Sequence, residues 1–233
     1  MITLVEFFPA YGLPNPSPFC LKVETWLRMA GLPYQAKYEA NPRKGPQGKL
    51  PFIIDNNKVV SDSSVIIDYL TRQYGVTLDA SLSDEQQGLA HAAKILMEDH
   101  LYWAIVYSRW LDADYWPITK KNFFSTLPPG VKQIVPIAAQ NQVKRDLHGQ
   151  GLGRHSKDTI YRFAEQDINA LAYLLGEKTF FLGEAPSSID AVAYGTLANI
   201  WVPPINTPLK AAMSRHSNLI RFVQQMKEKY WYV

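Results

Sequence analysis

The stretch NPSPFCLKVE, Asn15–Glu24, decides how the rest of the chain is read. Ser17 followed by Pro18 is a strong helix start. A hydroxyl at the N-cap accepts an otherwise orphaned backbone N–H, and proline at the first helical position lacks an N–H that would have no partner anyway. Phe19, Val23, Trp26, Leu27 and Ala30 then recur at helical spacing and form one apolar stripe. Gly31 stops this helix and Pro33 prevents its continuation. A redox site of the Cys-x-x-Cys kind needs two thiols here, and the chain has Ser17 and Cys20 instead. Cys20 is its only cysteine, so no intrachain disulfide can form and a reducing compartment is expected.

Working outward, ITLVEFF before this helix reads as a short strand, and YQAKYEA after it alternates as a strand should. LPFIID, the turn NN and KVVSDS then read as a hairpin with asparagine turn chemistry. SSVIIDYLTRQYG is helical, with Val65, Ile66, Tyr69 and Leu70 expected on one face and Gly75 as its stop. The order is β-α-β followed by β-β-α, which predicts a sheet with helices packed on it. From Leu82 onward no strand pattern remains. A long helix opens at Ser83 or Asp84, with Leu89, Ala93, Leu96, Leu101, Ala104 and Tyr107 among its apolar positions. Pro128, Pro129 and Pro136 are expected to break the helices that follow. Gly176 ends another, and Ser187-x-x-Asp190 is a capping-box variant that opens the next. Two domains follow, an α/β domain over 1–75 and an all-helical domain over 84–233, joined by a linker around Val76–Ser83.

A hydrophobic content of 47% supports a packed core, and 19% charged residues is too few for a disordered chain. The net charge of +3 is mildly basic, and no basic run or aromatic-and-arginine segment favours nucleic acid. The first residues lack the basic region and small-residue cleavage site of a signal peptide, and apolar stretches end well short of a membrane span. A cytoplasmic protein is expected. The five histidines show no metal-ligand spacing, so no metal is expected.

Two further features carry chemistry. Leu50-Pro51 stands directly before a strand, where proline belongs only at the start or an edge, and is read either as an ordinary trans start or as a cis bond that offers the Leu50 backbone to a ligand. Asp62, Ser63 and Ser64 stand at a helix N-terminus, either as plain caps or as an anion site, with Asp62 able to pair with an amine.

Ser17-Pro18-Phe19-Cys20, Leu50-Pro51, Asp62-Ser63 before Ile66 and Tyr69-Leu70, and Ser187-x-x-Asp190 after FLGEAP together resemble a glutathione S-transferase. The ordered set spans nearly the whole chain. SPFCLKVETWLRMAGLPY and HGQGLGRHS are more similar to the failed axon connections and metaxin-like branch than to the detoxifying classes. The resemblance implies a thioredoxin-like N-terminal domain, an all-α C-terminal domain, glutathione as cosubstrate in the cleft between them, a small hydrophobic electrophile as acceptor, and the homodimer usual in the family. It implies Ser17 facing the glutathione sulfur, Leu50 on the cysteinyl backbone beside a cis Pro51, and Asp62 and Ser63 on the γ-glutamyl end. Phe8 falls where several other classes keep a catalytic tyrosine, which leaves Tyr11 as the fallback. The same resemblance admits a non-catalytic binding or scaffolding module of the metaxin kind, or a glutathione-dependent lyase, isomerase or dehalogenase.

A serine mechanism is physically sufficient. A free thiol of pKa ~8.5 is only a few per cent ionised at neutral pH, and lowering it by two units takes about 2.7 kcal/mol. A hydroxyl donating to a thiolate supplies about 1.5–3 kcal/mol, and a helix N-terminus adds about 0.3–1 kcal/mol. Serine cannot form a mixed disulfide, so thiol–disulfide exchange is disfavoured. Cys20, one turn into the helix, is read as a buried structural thiol, with a nucleophilic or glutathionylated Cys20 as the sharper alternative. Trp103, Tyr107 and Trp110 lie at helical spacing, as core or as the border of an acceptor site. GQGLGRHS, Gly149–Ser156, follows a helix and not a strand, so it is read as a corner and not a dinucleotide loop, and its resemblance to the failed axon branch leaves room for Arg154 or His155 to approach the cleft.

Overall fold

The computed structural model describes residues 1–232. Its first strand, β1 (Ile2–Glu6), pairs in parallel with β2 (Tyr34–Tyr38), Ile2 opposite Tyr34 and Glu6 opposite Tyr38. Parallel neighbours need a crossover, which α1 (Pro18–Met29) supplies. β3 (Phe52–Asp55) runs antiparallel to β1 and β4 (Lys58–Ser61) antiparallel to β3, giving the order β2-β1-β3-β4. Asn56 and Asn57 both take positive φ, 47° and 68°, as a tight hairpin with right-handed twist requires. α2 (Ser63–Tyr74) then ends at Gly75 in the left-handed conformation. Its inward residues are Ile66 and Leu70; Val65, expected on that face, is exposed. The four-residue spacing holds, but the cap at Asp62 rotates Ser63 and Ile66 inward and leaves Val65 on the outside.

The helical domain starts with α3 (Asp84–Ile95), opened by a capping box in which Ser83 and Gln86 satisfy each other's backbone N–H groups. Instead of one regular helix, a π-helical turn over Leu96–Leu101 separates α3 from α4 (Tyr102–Trp110). Leu89 is exposed and lies outside the packed stripe. α5 (Trp116–Phe124) and α6 (Val131–Gln150) follow. Pro136 does not break α6 but sits buried within it. Only one intrahelical N–H is lost at that position, and packing of the ring offsets it. α7 (Lys157–Leu175), α8 (Ser188–Trp201), α9 (Pro208–Met213) and α10 (Ser217–Trp231) complete the chain.

The α8 helix is the axis of the molecule, with Ile189 to Ile200 buried without exception. Asp190 anchors its start, accepting from the N–H groups of Phe181 and Ser187 at 2.8 Å each. The two domains share their cores across α8: Leu21 of α1 lies in the helical core, and Ala191 of α8 lies in the core beneath the sheet. Gly195 makes the contact close. A Cβ there would stand 2.6 Å from the Pro18 carbonyl oxygen and 3.1 Å from the Lys22 nitrogen. The Trp26 indole N–H donates to Ser188 Oγ at 2.9 Å across the same seam. Among the described residues no helix is long and apolar enough to cross a membrane.

Candidate functional site

Ser17 caps α1 as its position in the sequence requires, its Oγ accepting from the Cys20 N–H at 3.4 Å. The hydroxyl also lies within hydrogen-bond reach of the Cys20 thiol. The residue is half-buried, and the loop that delivers it is held from both domains. On the sheet side, Asn15 accepts from the Ser17 N–H at 3.1 Å. The Asn15 amide also donates to Glu6 at 3.1 Å and to the Phe7 carbonyl at 2.8 Å. On the helical side, Arg109 of α4 donates to the Pro16 carbonyl at 2.7 Å and to the backbone and side-chain oxygens of Asn199 at 2.6 and 2.9 Å. Asn15 is fully buried and Arg109 nearly so. The guanidinium meets carbonyl oxygens, not a carboxylate, and burial lowers its pKa to about 10, still protonated near neutrality. Ser17 therefore sits on a short segment with little freedom to move.

Behind the loop lies an acidic pocket. Glu6 is pushed up to about 9 by burial and by the neighbouring Glu24, and so is held protonated. Glu24 accepts from the Tyr34 hydroxyl at 2.7 Å and pairs with Arg28 at 3.2 Å. Cys20 is completely buried, packed with Val5 and Leu50, and burial drives its thiol far above the ordinary range. A thiol so placed is not a nucleophile, which favours the structural reading.

The Leu50–Pro51 bond is cis, and Leu50 packs over Val5 and Cys20 beneath the first turn of α1. The structure thus gathers Ser17, Cys20, Leu50 and Pro51 at one end of the sheet. Asp62 takes φ 74° and caps α2, accepting from Ser64 and Val65 N–H at 2.9 and 3.2 Å. It is exposed, with its second carboxylate oxygen outside these bonds. Ser63 turns inward. Its hydroxyl and that of Ser64 receive the Lys22 ammonium at 3.1 and 3.0 Å, and the same ammonium bonds Glu98 of the π turn at 2.6 Å. Burial pulls the Lys22 ammonium down and Glu98 pushes it back up. Lys22 thus stands behind Ser63 and Ser64 at the N-terminus of α2, a feature with no local sequence signal.

Beside Lys22 runs a narrow crevice whose walls include Phe19, Glu98 and Tyr102. Phe19 and Tyr102 meet edge to face at 4.8 Å. Tyr102, the first residue after the π turn, meets α1 through this contact. Burial raises the Tyr102 phenol to about 12, so it stays protonated near neutrality. Tyr107 packs edge-on against Tyr161 at 5.8 Å, within the helical core. Tyr11 is buried, its hydroxyl donating to Thr119 of α5 at 2.9 Å and its face covered by Arg109 at 5.0 Å. Arg154 is exposed and donates to the His148 carbonyl at 2.9 Å, closing the C-terminal end of α6. Phe8 is exposed and stacks on Tyr38 at 5.2 Å.

Comparison with known proteins matches two family models, the glutathione S-transferase N-terminal domain over residues 18–115 and the glutathione S-transferase C-terminal domain over residues 164–226. The chain is 33% identical to the isoprene-epoxide glutathione S-transferase of Rhodococcus sp. strain AD45, over 99% of each chain. It is 33% identical to failed axon connections of Drosophila melanogaster, over 98% of this chain and 58% of that one, so it spans little more than half of that relative. It is 29% identical to metaxin-2 of Homo sapiens, over 91% of this chain and 81% of that one. Among solved structures, the glutathione S-transferase of Ceriporiopsis subvermispora in complex with glutathione superposes with a TM-score of 0.67 over 98% of this chain and 97% of that one, at 17% identity. That last likeness concerns the fold alone.

Proposed function

The chain belongs to the glutathione S-transferase family, and on that premise we propose that it is a serine-type, glutathione-dependent transferase. The observation that carries this reading is the position of Ser17, half-buried at the start of α1, its oxygen accepting the Cys20 N–H and its hydroxyl within hydrogen-bond reach of the Cys20 thiol, a contact from which a ligand sulfur would have to draw the hydroxyl proton. A donated hydrogen bond to the glutathione sulfur, with the α1 N-terminus behind it, favours the thiolate over the thiol. The backbone of Leu50 would hold the cysteinyl unit, and Asp62 and Ser63 would hold the γ-glutamyl end, carboxylate against amine and hydroxyl against carboxylate, with Lys22 buried behind them and its three donors taken by Ser63, Ser64 and Glu98. Phe19 and Tyr102 give this region an apolar edge, which would have to open to admit a small hydrophobic electrophile. The Rhodococcus relative makes a small epoxide the first acceptor to assay. There the thiolate sulfur forms a bond to carbon as the carbon–oxygen bond opens, and the alkoxide takes its proton from water.

A second reading has its own support. Ser63 is buried with its oxygen accepting from Lys22, and the crevice beside it is narrow, as suits a binding module of the metaxin kind that does no chemistry. Glutathione titration calorimetry on wild type and Ser17→Ala separates the two. The transferase reading expects saturable heat in both proteins and a thiolate absorbance whose pKa rises by about one to two units in Ser17→Ala, the equivalent of the ~1.5–3 kcal/mol lost. No heat and no thermal shift at millimolar glutathione would leave the binding module.

A further inference from the structure

Among the described residues, the exposed apolar surface of α6 has no partner. Its buried side holds Pro136 and Leu147, with Val143 packed against the helical core. On the other side of its first two turns stand Val131, Ile134, Val135 and Ala138, spaced by three and four residues, with Ile137 beside them. Ile134 is 70% exposed and Ile137 58%. A contiguous aliphatic face of this kind marks a site of association.

Charge says what associates. Over α5 and α6, Trp116 to Gln150, Lys120, Lys121, Lys132, Lys144 and Arg145 stand against Asp146 alone and give the segment +4. Against the total of +3, the rest of the chain is net −1, so this segment holds the basic character of the whole molecule. All five cations are exposed, and among the described residues none reaches a carboxylate within ion-pair distance. A second copy of the chain docked on a two-fold axis would set these cations against themselves. An anionic bilayer answers both features at once: aliphatic side chains enter the acyl boundary while lysines and arginine stay among the headgroups. We propose that the α5–α6 segment, with Val131, Ile134, Val135, Ile137 and Ala138 as its apolar face, is a docking surface for an anionic lipid membrane.

The test is sedimentation of the full chain with vesicles of phosphatidylcholine alone and of phosphatidylcholine with about one third phosphatidylglycerol. Binding to the anionic vesicles is expected to exceed that to the neutral ones by about tenfold or more, and to weaken as salt is raised. Replacing Lys120 and Lys121 by Gln should lower it by about fivefold each. The Ile134→Glu, Ile137→Glu double variant should abolish it with the thermal midpoint unchanged, because both side chains are exposed. Equal binding to neutral vesicles, or binding that survives the double variant, overturns the proposal. So does an oligomer in sedimentation velocity that the double variant dissociates, which would make a second copy the occupant. The α6 face is separate from the glutathione reading, and either can fail without the other.

Discussion

Glu98→Gln tests the link between the π turn and the N-terminus of α2. Lys22 is 2% exposed and its ammonium lies 2.6 Å from Glu98, which is itself 13% exposed. Breaking a buried pair from one side costs about 3–5 kcal/mol, because the remaining charge is stranded. The two sides are not equivalent here. Glu98→Gln leaves Lys22 two hydroxyls and a neutral amide oxygen but no counter-charge, whereas Lys22→Met leaves a carboxylate that can turn toward water. Glu98→Gln should therefore be the more damaging, by about 3 kcal/mol, equivalent to roughly 6–12 °C in a chain of this size. The Lys22→Met, Glu98→Leu double variant removes both charges and should recover most of that loss. A stranded ammonium has a folded pKa below its unfolded one, so its neutral form is favoured by folding. The damage from Glu98→Gln is thus largest near neutrality and shrinks as pH rises toward the unfolded lysine value of about 10.4. Urea unfolding of the four proteins at two pH values measures this. Equal losses in the two single variants, or a double variant as unstable as the sum of both, would refute the reasoning.

Three further outcomes are expected. Glu6 is protonated in the fold up to about 9 and ionises at ordinary carboxylate pH when unfolded, so its stabilising contribution is complete below the unfolded value and is lost as pH rises through the folded one. Wild type should lose up to about 1.4 kcal/mol per pH unit across that window, and Glu6→Gln should flatten the decline in urea midpoints. Gly195→Ala would gain about 1 kcal/mol in an open helix, but with the Pro18 carbonyl 2.6 Å from the new Cβ it should instead lose about 1–3 kcal/mol, read as a lower thermal midpoint. Arg109→Lys keeps the charge but cannot span Pro16 and Asn199 together, so it should lose about 1.5–3 kcal/mol of stability and weaken any glutathione signal that depends on Ser17.

What the sequence made legible was local backbone chemistry. Ser17 and Pro18, the two asparagines of the hairpin, Gly75, and the Ser187–Asp190 box each act within four residues of themselves, so their patterns survive without the fold. The π turn does not, because it is set by the simultaneous burial of Met97 and Leu101 against other helices. Pro136 misled for a related reason: its propensity is local, and the packing that overrides it is not. The supports of the candidate site were the hardest to see. Lys22 meets Glu98 across 76 residues and Arg109 meets Pro16 across 93, and nothing in either neighbourhood announces the pairing.

The seam between α1 and α8 bears on how such a chain can vary. A lobe cut away at Val76–Ser83 would leave the Trp26 indole without its acceptor and Leu21 without its neighbours. Exchange of whole lobes between relatives at that linker, simple on paper, would join an α1 to an α8 that had never been fitted to it. Across that seam, two helices more than 160 positions apart behave as a single heritable unit: a bulkier residue at Gly195 is tolerable only if the first turn of α1 has already moved to receive it.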